Sequence, residues 1–409
     1  MSPKLNCFLL SLLAFCISLG LYPPTLRFAR RHGIVDNPDA RKLQREPVPV
    51  LGGLVVFIGF YAAAVVMLMN HGTERMMAGL TATAIMTAIG IWDDLRDLPA
   101  AFRFIVEMCV VWLLRGWGEI WINDFHGLWG LGEISLWVSA PLSIIAGVGI
   151  INAINLIDGV DGYSSGFGIT ACLVFGAFLG ASGIWPSATM MFILAGALVP
   201  FWLHNVFGKR SKMFIGDGGS LLLGTSMTVT CFCILDEKSP CAAIADTYGV
   251  GLIPFTLAVL AIPVFDTLRV MTLRMARGNS PFSPDKTHLH HLFIEMGFSH
   301  VVTSLIICTA NTLIVLCWWL SWKLGAGIDL QFYIVTTLGL LVTSGFYKFS
   351  KIQQRRQSRI WDFFCRLGAR SHRFSLPLWI FVRRLVDQPI LPRQCVRARQ
   401  HLRKLKLQK

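Results

Sequence analysis

Four polar side chains recur at steps of three in Asn152-Ala-Ile-Asn-Leu-Ile-Asp-Gly-Val-Asp-Gly162, the stretch that follows the apolar run Leu136 to Ile151. That spacing turns neighbours among Asn152, Asn155, Asp158 and Asp161 roughly toward one side of a helix end. Gly159 and Gly162 loosen the chain there and let the backbone approach a ligand. Carboxylates and amides beside a bilayer are costly unless something binds them. Taken alone, the stretch also has a plainer reading as a polar loop after a span. Three more stretches of similar character alter that balance: Asp93-Asp94-Leu-Arg-Asp97, Phe214-Ile-Gly-Asp217-Gly-Gly-Ser220 and His288-Leu-His290-His291. Each has a plainer reading by itself. Asp93 and Asp94 fit a solvated helix end, and Asp217 fits a helix cap. Phe214 fits packing at the membrane interface. The histidines have metal-ligand spacing, but their surroundings are oxygen-rich and no cysteine is close, so zinc ranks low.

Together these residues specify a chemistry. Asp93, Asp94, Asp97, Asn155, Asp158, Asp161 and Asp217 are hard oxygen ligands, which suit Mg²⁺ or Mn²⁺. Arg41, Lys42, Arg45, Lys209, Arg210, Lys212, His288, His290 and His291 are suited to phosphates. A divalent ion reconciles the two sets, because it bridges carboxylate and phosphate and neutralises developing charge. Phosphoryl transfer at a membrane surface follows as the reaction class.

The elements that must position them are membrane spans. The chain has 409 residues, 54% hydrophobic and 15% charged. A soluble chain carries about 25% charged residues. Spans need about 20 apolar residues each, and about eleven such runs occur. They are expected near 5–21, 51–70, 76–92, 102–117, 136–151, 167–184, 188–206, 221–235, 250–270, 302–322 and 332–349. Glu107, in the fourth, reads as a polar residue facing the bundle. The expected fold is therefore an all-α polytopic membrane protein. The connections 118–135 and 183–187 contain no Lys or Arg, and the others on that side hold Arg75, Lys238 and Lys323. All the motifs fall on the opposite, basic side, which the positive-inside rule makes cytoplasmic. The N-terminus is then outside and the C-terminus inside, with Cys241 outside and Cys365 in the cytoplasm. Eleven cysteines form no disulfide-type pattern, and most lie in apolar runs as small buried hydrophobes.

The formal charge is +14, and residues 351–409 account for all of it. We therefore expect two parts: a transmembrane catalytic domain, 1–350, and a basic tail, 351–409, dispensable for catalysis. The tail mixes Arg with Trp361, Phe363, Phe364, Trp379, Ile380 and Phe381, which suits an anionic leaflet. A disordered basic tail fits the same composition.

The motifs, in this order and together with Asn37-Pro-Asp-Ala-Arg-Lys42, Pro49 and Gly52-Gly53, resemble the polyprenyl-phosphate N-acetylhexosamine-1-phosphate transferases. The resemblance covers about residues 5 to 350. His288-Leu-His-His291 is more like the branch that starts O-antigen, common antigen or teichoic acid linkage synthesis than the muramoyl-pentapeptide branch. Gln44, Arg103 and Glu107 depart from the residues common there. The resemblance implies that undecaprenyl phosphate attacks a UDP-N-acetylhexosamine, most simply UDP-N-acetylglucosamine, and that UMP leaves, in a bacterial inner membrane. It implies Asn155 and Asp217 as Mg²⁺ ligands, and Asp93 and Asp94 at the acceptor. Asp158 and Asp161 would serve the nucleotide side, together with Phe214 on the uracil. Asn152 belongs to the same substrate motif, and His288, His290 and His291 would grip the diphosphate. No nucleic acid is implied, and a homodimer is left open. A muramoyl-pentapeptide transferase is the nearer alternative. An ion-coupled transporter is the distant one; it requires ionisable groups at mid-span, whereas these cluster at span ends.

Overall fold

The structure is a computed structural model that describes residues 2–37, 46–281, 286–372 and 377–388. Arg41, Lys42 and Arg45 lie outside the described residues. Lipid offers no partner for backbone N–H and C=O groups, so apolar runs of this length close their hydrogen bonds internally as helices. The helices in order are α1 (Pro3–Arg31), α2 (Gly52–His71), α3 (Glu74–Arg96), α4 (Ala100–Gly118), α5 (Leu136–Leu156) and α6 (Tyr163–Ala181). Next come α7 (Trp185–Phe207), α8 (Gly216–Leu235), α9 (Pro240–Tyr248), α10 (Leu252–Val259), α11 (Ala261–Ala276) and α12 (Leu289–Glu295). Then follow α13 (His300–Lys323), α14 (Ile328–Leu340), α15 (Phe346–Arg355), α16 (Arg359–Ser371) and α17 (Pro377–Asp387).

The chain is an all-α polytopic membrane protein. Among the described residues nine helices are long and apolar enough to cross a membrane, or ten if the bent pair α9–α10 counts as one span. Every expected span coincides with helix. Two of the eleven fail that test of length and composition. α4 carries Arg103, Glu107 and Arg115 within 19 residues, and the expected ninth span is interrupted at Leu260 between α10 and α11. α9 and α10 meet at 109°. The eleventh runs on through a π turn at Leu341–Gly345 to Arg355, so the expected boundary at residue 350 falls inside a helix. One pair of two-residue strands, β1 (Val35–Asp36) and β2 (Val48–Pro49), was not foreseen.

α8 is the hub, buried on almost every side and packed by α2, α3 and α5. Small residues permit this. A Cβ on Gly90 of α3 would collide with the Asp217 carbonyl, and one on Gly53 of α2 with the Gly219 backbone. Such small-residue contacts let helix backbones approach closely in lipid. Because they occur at the first turn of α8, they set where Asp217 stands.

Candidate active site

At the end of the bundle that carries the motifs, a chamber of about 1190 Å³ opens between α3, the α5–α6 turn, the start of α8 and α12. Asp93, Asp94, Asn155, Asp158, Asp161, Phe214, Asp217, His288, His290 and His291 all line it. Asn152 does not. Its amide donates to buried Glu107 and to the Val148 carbonyl, 2.9 Å away, so it ties α5 to α4 instead.

The α8 N-terminus is held from across the bundle. Asp94 accepts the N–H of Asp217 at 2.9 Å and that of Gly218 at 3.1 Å. A carboxylate there satisfies orphan N–H groups and complements the helix dipole. Gly216, at φ +70°, makes the turn possible, since a Cβ would sit 2.5 Å from Oδ2 of Asp94. The cap is therefore Asp94 of α3, which leaves the Asp217 side chain available. Asn155 donates Nδ2–H to Oδ1 of Asp217 at 2.6 Å and to Ser220 Oγ at 2.8 Å. The Asp217 side chain is about one-third exposed, 35%, so it faces open space in the chamber. These two residues, 62 apart in sequence, meet only through packing of α5 on α8.

Asp93 accepts from the Leu98 N–H at 2.7 Å and from Arg103 Nη1 at 2.9 Å. Arg103 also stands 3.7 Å from Glu107 and 4.0 Å from Asp217. It balances three carboxylates in one place, a role its sequence position gave no hint of beyond the family departure.

On the other wall, Asp161 takes Lys212 Nζ at 2.6 Å and His300 Nδ1 at 3.1 Å. Burial raises the Asp161 pKa, but these two partners outweigh it and hold the carboxyl below its usual range. Asp158 accepts from Ser164 Oγ. Withdrawal from water, reinforced by Asp217 and Asp161, pushes its carboxyl up to about 8. Lys212 Nζ also lies 5.5 Å from the Phe214 ring centre, within cation–π reach. Phe214 is fixed through its backbone, whose N–H donates to the Pro49 carbonyl at 2.8 Å.

The histidines sit at the start of α12. His288 Nδ1 is 3.0 Å from Asp266 Oδ2, and Asp266 is itself held by Arg269 at 2.6 Å. This leaves Nε2 of His288 buried with no hydrogen-bond partner among the described residues, and Nε2 of His290 likewise. Burial, with His291 and His288 beside it, pushes His290 well below the usual imidazole value, so it is neutral. Buried polar groups normally have partners, and these two ring nitrogens stand beside the chamber, that of His290 against Gly159. Among the described residues no three His, Cys, Asp or Glu side chains are placed to hold one ion. A small octahedral ion usually takes only one or two protein ligands, and Asn155 with Asp217 supplies that number.

Arg103, Asp266, Arg269 and His300 are site residues that the sequence analysis missed. Asp266 and Arg269 carried a usable signal, since an acid and a base three apart within an expected span must be paired. His300 carried none.

Residues 76–234 match the family model described as glycosyl transferase family 4. Among curated relatives, a decaprenyl-phosphate N-acetylglucosaminephosphotransferase of Mycobacterium tuberculosis is 32% identical over 318 residues, covering 73% of this chain and 78% of the relative. Its counterpart in Mycolicibacterium smegmatis is 34% identical over 291 residues, 66% and 71% of the two chains. An undecaprenyl-phosphate alpha-N-acetylglucosaminyl 1-phosphate transferase of Escherichia coli is 29% identical over 293 residues, 70% and 76%. At this identity and coverage the chain belongs to glycosyl transferase family 4, within its polyprenyl-phosphate N-acetylglucosamine-1-phosphate transferase branch.

Proposed function

We propose that the protein transfers N-acetylglucosamine 1-phosphate from UDP-N-acetylglucosamine to undecaprenyl phosphate, releasing UMP, at the cytoplasmic face of a bacterial inner membrane. The observation that carries the reading is the Asn155–Asp217 contact, at 2.6 Å, in a chamber walled by both carboxylates and cations. Phosphoryl transfer leaves the protein mainly positioning and charge stabilisation to perform. A phosphate acceptor is largely ionised near neutral pH, so it needs orientation more than a strong base. Asp94, with both oxygens engaged by α8 N–H groups, serves as the brace of α8. Arg103 offers its guanidinium to acceptor or donor phosphate oxygens while shielding them from Asp93 and Asp217.

Asn155 and Asp217 fit Mg²⁺, which when bound would neutralise charge on the donor diphosphate. His290 donates a hydrogen bond to a diphosphate oxygen through Nε2, and His288 beside it lines the diphosphate side with its ring fixed by Asp266. Phe214 stacks on the uracil, with Lys212 and Asp161 beside it. The exposed apolar side chains of α16, Ile360, Phe363 and Leu367, lie between arginines and suit an anionic leaflet.

The test is UMP release by purified protein given undecaprenyl phosphate and a panel of UDP-sugars. UDP-N-acetylglucosamine should be the preferred donor. Preference for UDP-N-acetylmuramoyl-pentapeptide would move the protein to the peptidoglycan branch, and no UMP from any donor would reject the reading.

A further inference from the structure

The basic tail contacts the chamber rim at three places. At the end of α15, Lys351 and Gln354 bind the Glu295 carboxylate of α12 at 2.5 and 2.6 Å. In α16, Gly368 lies so close to the Met296–Phe298 backbone that a Cβ would collide with it. Ser371 Oγ accepts the Ser299 N–H at 2.8 Å. In α17, Asp387 accepts three successive N–H groups, from Lys209, Arg210 and Ser211 at 3.3, 3.0 and 2.9 Å, and the Ser211 hydroxyl at 2.9 Å. Consecutive N–H groups of this kind form an anion nest. The Trp379 ring, 4.4 Å from that of Phe207, seats the same helix on the end of α7.

The residues that come next in sequence give these contacts their meaning. Ser211 is followed by Lys212, and Ser299 by His300. Those are the two basic side chains that meet on Asp161, at 2.6 and 3.1 Å. A lysine on a short connecting turn has a long flexible stem, and turns of this kind are the mobile parts of a fold. Tail contacts one residue before each of these side chains immobilise the backbone from which it reaches.

We propose that the tail is a strap whose Asp387 and Ser371 are positioning residues for the Lys212–Asp161–His300 cluster, and that it thereby sets affinity for the nucleotide sugar. The proposal rests on the donor assignment made above, and it replaces the expectation of a tail dispensable for catalysis. The tail acts on the wall that holds the nucleotide, so its loss weakens donor binding and leaves the acceptor side alone.

The experiment compares wild type, Asp387→Ala, Asp387→Asn, Lys212→Ala and the Lys212→Ala/Asp387→Ala double variant in the full-length chain. Asp387→Ala should raise KM for UDP-N-acetylglucosamine about tenfold, with kcat and the KM for undecaprenyl phosphate little changed. Asp387→Asn, which keeps an acceptor oxygen, should recover part of the loss. In the Lys212→Ala background, Asp387→Ala should add nothing, because residues acting through one contact are not additive. Unchanged KM in Asp387→Ala, or effects that multiply in the double variant, would overturn the proposal. Hydrogen exchange supplies a readout independent of activity. The N–H groups of Lys209, Arg210 and Ser211 should be protected in wild type and exchange faster in Asp387→Ala. Equal exchange in the two would sink the strap, even where transfer itself proved to use another donor. A wild type inert with every UDP-sugar would contradict the proposed function and leave the exchange result to decide the strap.

Discussion

Asp161 and Asp217 are both short carboxylates in one chamber, yet their neighbours give them different work. Asp161 is neutralised by Lys212 and His300, and its folded pKa lies below the usual carboxylate value of about 4. A depressed folded pKa contributes stability at pH above the unfolded value, and that contribution is lost as pH falls through the folded one. The stability that wild type holds over Asp161→Asn in detergent should therefore shrink as pH falls below about 4. Asp161→Asn should be less stable than wild type at pH 6, by about 1.5–3 kcal/mol for hydrogen bonds to a charged group, and the gap should close in acid. A gap that does not change with pH would mean that Lys212 and His300 do not stabilise the carboxylate. Arg103 makes a complementary case. Its head is shared among Asp93, Glu107 and Asp217, so Arg103→Ala leaves buried Glu107 without its ion pair. We expect kcat to fall at least about a hundredfold, as for loss of an oriented charge at a reacting phosphate. Arg103→Lys should restore little, because an ammonium cannot reproduce the planar fork. Full activity in Arg103→Lys would show that charge alone suffices.

At the level of the helices, the first turn of α8 is where sequence and tertiary structure meet. The motif Gly216-Asp217-Gly-Gly-Ser220 was legible as a turn opening a span. Its cap was not, because the capping carboxylate, Asp94, is 123 residues away. The same holds across the site. Asn155 and Asp217 stood out by type and spacing, since amides and carboxylates at span ends are rare. Arg103, Asp266 and His300 act through partners on other helices, and a chain read in order does not reveal such pairs. Asn152 matches the motif's spacing, and its side chain turns to Glu107 on α4, a partner that the spacing does not show. The spans were legible because lipid demands long apolar runs. The break between α10 and α11 and the turn within α14–α15 were not, because both sit inside unbroken apolar sequence. Close packing at α8 gives a direct prediction. Gly90→Val must push α3 from the Asp217 carbonyl, and overpacking of this kind costs about 1–3 kcal/mol. The variant should melt lower in detergent and lose transfer activity, because Asp94 and Asp217 would part. A Gly90→Val variant with wild-type stability would mean that the helices separate freely there.

Over the whole molecule, the Lys and Arg asymmetry predicts an orientation for the bundle, and burial decides how that prediction is tested. Cys241 was expected as an outward-facing thiol, but it is fully buried in α9, so a reagent would miss it whichever way the protein faces. Lys238, with its side chain 61% exposed on the same side, is the better probe. On intact cells a membrane-impermeant maleimide should label Lys238→Cys and spare Cys365; labelling of Cys365 alone would invert the topology. With that orientation, α5 and α8 would bring their polar ends to the cytoplasmic face, where we propose that they share one Mg²⁺ through Asn155 and Asp217. The most direct measurement is UMP release against Mg²⁺ concentration for wild type, Asn155→Ala and Asp217→Ala. The account predicts no transfer in Asp217→Ala, a raised half-maximal Mg²⁺ concentration in Asn155→Ala, and no activity of wild type in excess EDTA. Unchanged Mg²⁺ dependence in Asn155→Ala, or a wild type fully active in EDTA, would contradict it.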